Sequence, residues 1–137
     1  MTDARARAET QLAGIAVGLV DTPRFRRALD RHGERLLLRV FTPDELAYAR
    51  RKRRSEHNLA ARFAAKCAGR RLLRPLAGSG PPLSDIEVVR RRSGEPTLRV
   101  LGRARAALPG DGWRFALTLT HDADFAMASV WLERQEG

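Results

Sequence analysis

The sequence contains one cysteine, Cys67, so no disulfide can form within the chain. A disulfide-stapled secreted scaffold is therefore excluded, and a reducing compartment fits. Lysine is nearly absent: Lys52 and Lys66 are the only two, and the remaining basic charge is arginine. A skew that complete looks compositional, as in a GC-rich coding sequence, so no single arginine reads as chosen over lysine. Aromatic residues make up only 6% of the chain and form no stacking motif, so nucleic acid is not an expected partner. No run approaches the roughly 18 apolar residues of a membrane span. The opening stretch MTDARARAETQLAG is charged and has no apolar core, so it does not read as a secretory signal. The expectation is a cytoplasmic protein with no membrane contact.

What is present is charge and an ordinary core. A chain of 137 residues with 43% hydrophobic content is long enough for one domain with a real interior. The formal net charge of +10 predicts an anionic partner; nucleic acid fits by charge alone but is disfavoured by the missing stacking motif, which leaves a phosphorylated cofactor or an acidic protein as the candidates.

The segment AGIAVGLV (13–20) is continuously apolar and reads as a buried strand. In DTPRFRRALDRHG, Asp21 or Thr22 can cap a helix, Pro23 suits its first turn and Gly33 can end it. FTPDELAYARRKRR repeats this logic, with Thr42 and Glu45 spaced as a capping box and a helix expected over 43–51. A longer helix is expected over 56–73, stopped before Pro75. LAGSGPPLS (76–84) is a loop, and GRARAALPGDG is a short helix or loop. DIEVVRRRSGEPTLRV and RFALTLTHDADFAMASVWLE each alternate around a polar turn and predict β-hairpins. The class is α+β, an antiparallel sheet packed on one long helix. Residues 1–12 read as a flexible N-terminal extension and 13–137 as a single domain.

In order, the glycine-bearing strand, DTPRF, RVFTPDELAYA, LAARFAAKCA, DIEVVRRRSGEPTLRVLGRA and ALTLTHDADFAMASV resemble the holo-acyl-carrier-protein synthases. These are the small trimeric branch of the 4'-phosphopantetheinyl transferases. The resemblance covers 13–133 and implies the family's α+β fold, a homotrimer, and a cleft between subunits that binds coenzyme A and Mg²⁺. It also implies transfer of the phosphopantetheine arm to a serine of an acidic carrier protein. Family members hold the metal with an aspartate at the end of the first strand and with the glutamate of R-F-A-x-K-E-A. Mg²⁺ is a hard ion that wants such carboxylate oxygens. Here Gly18 and Cys67 occupy those two positions. Glycine offers no side chain and a thiol is a soft ligand, so this former metal site predicts no metal and Mg²⁺ is not an expected cofactor. Asp21, three residues after Gly18, is the one nearby carboxylate placed to rebuild the site, against its simpler role as a helix cap. Asp122 and Asp124 read as solvated turn residues.

By the same resemblance, Arg24, extended by Arg27, is expected to contact an acidic carrier protein. Arg53, Arg54, Arg62, Lys66, Arg71, Gly94, Pro96 and His121 are expected around the phosphates or nucleotide of coenzyme A. Arg74 stands where the family favours glycine. Cys67 reads either as a small packed residue on Leu59 and Phe63 or as a nucleophile activated by Lys66 and His121.

Three functions follow from this pattern. The first is a repurposed, metal-independent enzyme of polyketide-type metabolism that cyclises, dehydrates or isomerises an acyl substrate in the intersubunit cleft. Its acid/base residues would be His121, Cys67, Asp21 and Lys66, and it would require no cofactor. The second is a non-catalytic protein that binds a carrier protein, coenzyme A or phosphopantetheine. The third is an active holo-acyl-carrier-protein synthase. The sequence ranks them in that order.

Overall fold

Asp21 ends the first strand and starts the first helix. In the computed structural model, which describes residues 10–78 and 80–135, β1 spans Thr10–Asp21 and α1 spans Thr22–His32. The Asp21 carboxylate accepts the Arg24 backbone N–H at 2.9 Å, Pro23 lies in the first turn, and Gly33, at φ 56°, closes the helix in a conformation that favours glycine. A second helix, α2 (Glu34–Val40), follows at once. The cap and proline signals of the next segment produce α3 (Pro43–Arg50) with a complete Thr42–Glu45 capping box. The long helix α4 covers Ser55–Ala77. After a turn of 3-10 helix at Leu83–Asp85 come β2 (Ile86–Arg90), β3 (Pro96–Val100), a short α5 (Gly102–Ala107), β4 (Trp113–His121) and β5 (Phe125–Gln135).

The strands form two antiparallel sheets, β1-β5-β4 and β2-β3, and the fold is α+β as expected. Helix α4 crosses the inner face of the larger sheet. Its alanines at 60, 61, 64, 65 and 68 are buried, and small side chains let the helix backbone come close to the strands. Gly14, Ala16 and Gly18 of β1 lie opposite Leu132, Val130 and Ala128 of β5, which face Phe115, Leu117 and Leu119 of β4. This inner layer, with Leu73 of α4 and Ile86 and Val88 of β2, is the larger core. A second cluster around Phe25, Phe41, Leu46 and Ala126 seats α1 to α3.

Several expectations need correction. β1 is not buried on both faces: Leu12, Ile15, Val17 and Leu19 are exposed, joined by Phe125 and Met127 of β5. A register shift between Leu12 and Gly14 places Leu12 on the same outer face as Ile15. The strand begins at Thr10, so the extension cannot reach residue 12, and residues 1–9 lie outside the described residues. Helix α4 runs past Pro75 because that proline falls in its last turn, where few helical bonds remain to be lost. Helix α2 has no cap or proline signal of its own, and sequence reasoning missed it.

Candidate functional site

At the expected metal position, α4 lies directly on β1. A Cβ built on Gly18 would overlap the Ala64 carbonyl oxygen and lie only 2.7 Å from its carbon. The helix backbone therefore occupies the space that any side chain at residue 18 would need. Cys67, one turn further along α4, is half-buried. Burial pushes its thiol pKa up, and the nearby positive charges of Arg70, Arg71 and Lys66 offset only part of that effect. Half-burial and the upward shift of its pKa favour the packed reading of Cys67 over the activated nucleophile.

Asp21 does not rescue a metal site. Residues 18 to 21 are strand, so side chains three apart point to opposite faces of the sheet. Gly18 faces α4, whereas Asp21 is exposed and caps α1. No group of three His, Cys, Asp or Glu side chains suited to a metal ion exists among the described residues. The Mg²⁺ ion implied by the family resemblance does not fit: one donor is missing, the other is soft, and the space is closed.

Lys66 is not in a cleft either. It is wholly buried and forms an ion pair with Glu45, which is also buried. Glu45 Oε1 also accepts the Thr42 N–H at 2.9 Å, and its Oε2 accepts the Val88 N–H at 2.9 Å. The Thr42 hydroxyl donates to Glu87, and Glu87 accepts from Arg99 at 2.6 Å. Burial lowers the Lys66 pKa, and the Glu45 carboxylate opposes that shift. A buried charge is tolerable when it is paired and hydrogen-bonded, and this network supplies both. Arg62 is similarly committed: its Nη1 donates to Val88 O at 3.1 Å, its Nε donates to Asn58 at 2.8 Å, and the guanidinium covers the Tyr48 ring at 4.3 Å. Both residues tie α3 and α4 to β2, and in the single chain neither side chain is presented to the surface as the catalytic or phosphate-binding reading expects.

Other candidates do face solvent. His121, at the end of β4, is exposed, and its ring lies 5.7 Å from that of His57 in the first turn of α4. His57 Nδ1 is buried without a hydrogen-bond partner among the described residues. Sequence reasoning missed His57, because only the crossing of α4 over the sheet brings it to His121. Asp122 is a turn residue: its carboxylate accepts the Phe125 and Asp124 N–H groups, each at 2.8 Å, which hold its pKa below the usual carboxylate value. Arg71 is exposed and donates to the Val17 carbonyl on the free edge of β1. Arg74 is exposed, with its Nε beside Gly80.

Arg53 and Arg54 are exposed immediately before α4. Tyr48 nearby is surrounded by cations, with Lys52 at 4.7 Å and Arg90 at 5.4 Å from its ring centre in addition to Arg62. Gly94, at φ 93°, forms the tip of the β2–β3 turn, and Arg90 donates to its carbonyl at 2.6 Å. Pro96 lines an open groove of about 580 Å³ with Arg90, Arg91, Arg114, Leu117 and Thr118. The register that pairs Arg90 with Pro96 brings two of these together. Arg24 and Asp21 edge a separate apolar hollow of about 500 Å³ that reaches Phe25, Phe41, Phe63 and Phe125. Arg27 is exposed on the same helix.

Comparison with known proteins agrees with this architecture. Residues 14–127 match the 4'-phosphopantetheinyl transferase superfamily. The holo-[acyl-carrier-protein] synthase of Solibacter usitatus (strain Ellin6076) is 38% identical over 123 residues, covering 89% of this chain and 98% of that protein. The synthase of Methylobacterium sp. (strain 4-46) is 41% identical over 127 residues, covering 89% and 94%. The solved ACPS–CoA complex of Chronobacterium ammoniagenes superposes with a TM-score of 0.76 at 31% identity, covering 92% of this chain and 99% of that one. The chain belongs to the 4'-phosphopantetheinyl transferase superfamily, among the holo-acyl-carrier-protein synthases.

Proposed function

We propose that this chain handles the ligands for which its relatives are named: it binds coenzyme A and an acidic acyl carrier protein, and transfers 4'-phosphopantetheine from the first to a serine of the second. The observation that carries this reading is identity of 38% and 41% to holo-[acyl-carrier-protein] synthases along nearly their whole length. The exposed arginines of α1 offer an acidic partner a basic face beside an apolar hollow. The groove at Pro96 carries three arginines, Arg90, Arg91 and Arg114, against two carboxylates, Glu95 and Glu133, and this excess of positive charge supports an anionic nucleotide there. In the transfer, the serine oxygen bonds to the phosphorus that carries the pantetheine arm. The phosphoanhydride bond breaks, 3',5'-ADP leaves, and the serine proton passes to a base. His121 is our candidate for that base.

The open apolar face of β1 and β5 supports the expected homotrimer, since an exposed patch of this kind is normally covered by a partner. No described helix is long and apolar enough to cross a membrane. The relatives lend nothing to a cyclising, dehydrating or isomerising enzyme of polyketide-type metabolism, and their names favour the synthase reading instead.

One specific observation favours a second reading, in which the chain binds carrier protein or coenzyme A without transferring. The two positions that resemble the family's metal ligands are Gly18 and Cys67. Intact-protein mass spectrometry of apo-carrier protein incubated with coenzyme A decides between the two. A gain of one phosphopantetheine supports the transferase. Binding of both ligands without a gain supports the second reading, and no binding of either overturns both.

A further inference from the structure

His57 and His121 are far apart in the chain and meet only in the fold. Their ring centres lie 5.7 Å apart, with the rings inclined at 55°. His57 sits in the first turn of α4 and His121 at the end of β4, so two regular elements hold the pair. Two imidazoles that share one tetrahedral ion through bonds of about 2.0–2.1 Å place their ring centres about 5–6 Å apart. The spacing here falls in that range. His57 is half-buried, and its Nδ1 is shielded from solvent without a hydrogen-bond partner among the described residues. No protein group there competes with a metal ion for the ring. His121 is exposed, so an ion can approach the pair from solvent. Asp122 lies beside them. The Phe125 and Asp124 N–H groups hold its carboxylate pKa down, and both imidazoles act on it as well. Both N–H groups bond to Oδ1, so Asp122 adds a fixed negative charge next to the rings. No set of three His, Cys, Asp or Glu ligands exists among the described residues, so water would fill the remaining positions on an ion.

The surrounding charge decides which ion fits. Arg53 and Arg54 precede α4, and the N-terminus of a long helix is itself positive, so a cation held by charge alone is disfavoured. That argues against Mg²⁺ or Ca²⁺ here, since both are bound mainly by carboxylate, carbonyl and water oxygens. Imidazole nitrogen suits Zn²⁺, Ni²⁺ and Cu²⁺, whose bonds to the ring supply the affinity. The pair is also remote from the position that the family resemblance reserves for a metal. Ten residues of α4 separate His57 from Cys67, about 15 Å along the helix axis.

We propose that His57 and His121 form a two-imidazole site for a transition-metal ion of the Zn²⁺ class, completed by water. An ion there occupies the lone pair that His121 needs as a base, so the loaded chain should not transfer. That consequence rests on the transferase reading, whereas the binding itself does not. The test is isothermal titration calorimetry of Zn²⁺ into the full, tag-free chain in a non-chelating buffer, for the parent, His57→Ala, His121→Ala and Cys67→Ser. One saturable ion per chain is expected in the parent and in Cys67→Ser, with binding weaker by about tenfold or more in each histidine variant, since each loses one of two nitrogen ligands. His57→Gln and His121→Gln replace the alanine variants if either loses its circular dichroism signal. Electron paramagnetic resonance of added Cu²⁺ is an independent check: splitting from two nitrogens is expected in the parent and from fewer in each variant. No saturable Zn²⁺ binding overturns the proposal. Binding that survives in both histidine variants does so too, because the ion then lies elsewhere, and binding lost in Cys67→Ser assigns it to the thiol. Inorganic phosphate that binds in place of Zn²⁺ and needs the same two histidines makes the pair an anion cradle, which also overturns it. A chain that transfers phosphopantetheine but binds no Zn²⁺ keeps the proposed function and loses this site. A chain that binds Zn²⁺ through both histidines but transfers nothing keeps the site and loses that function.

Discussion

Lys66 and Glu45 form an ion pair whose side chains are both fully buried, and through Glu45 the pair reaches the Thr42 cap and the Val88 N–H at once. A lysine that sequence alone offers for catalysis is thereby built into the joint between α3, α4 and β2. Removing one partner of such a pair leaves a buried charge alone, which typically costs about 3–5 kcal/mol. Glu45→Ala should therefore lower stability by that order in urea denaturation at neutral pH, and Lys66→Met should also destabilise. A Lys66→Met protein that kept its full stability while losing function would return the lysine to the active site.

Cys67 gives a pH-dependent prediction with a clear sign. Burial raises its pKa, so the thiolate appears only above the ordinary cysteine value. Iodoacetamide alkylation should be slow at neutral pH, and its rate should rise with a midpoint above that of a free cysteine. The raised value also means that folding favours the protonated thiol, so this residue's stabilising contribution is present below the unfolded pKa and fades as pH rises through the folded one. A midpoint below that of free cysteine would reinstate the nucleophile. Cys67→Ala is expected to leave ligand binding unchanged.

The local signals were legible because their chemistry is local. Asp21, Thr42 and Glu45 cap helices through bonds spanning three residues, and both hairpins are set by alternation and turn residues. That Gly18 and Cys67 stand where the family resemblance expects carboxylates was equally legible in the chain. What the sequence could not show depends on contacts distant along the chain. The fates of Arg62 and Lys66 are set by Val88 and Glu45, and His57 reaches His121 only after α4 crosses the sheet. Asp21 looked like a spare ligand because a three-residue spacing brings side chains together on a helix but separates them on a strand.

Gly18 should tolerate no side chain. Its imagined Cβ meets the backbone of Ala64, which cannot rotate away as a flexible side chain would. Overpacking of a filled core typically costs about 1–3 kcal/mol, and a backbone obstacle puts Gly18→Ala at the upper end of that range. Thermal unfolding of Gly18→Ala and Cys67→Ser side by side checks this. A marked loss is expected for the first and a small change for the second, because Cys67 lies in a half-buried position. An unchanged melting temperature in Gly18→Ala would mean that α4 sits further from β1, and that a carboxylate at residue 18 has room after all.

The outer sheet face offers the remaining test. Ile15, Val17 and Leu19 of β1 and Phe125 and Met127 of β5 present an apolar surface to solvent in the single chain, with Leu19 64% exposed. These side chains lie on the opposite side of the sheet from the core that holds α4, so a charge there should leave the chain's own packing intact. In an assembled protein the same charge would lie in a desolvated interface, where an unpaired carboxylate is strongly disfavoured. Leu19→Asp should therefore keep its circular dichroism spectrum while light scattering reports a shift from three chain masses to one. If the unmodified chain already scatters as a monomer, the apolar face is open in solution and any ligand site completed by a second subunit is lost with the trimer. If Leu19→Asp remains trimeric, the interface lies elsewhere on the molecule.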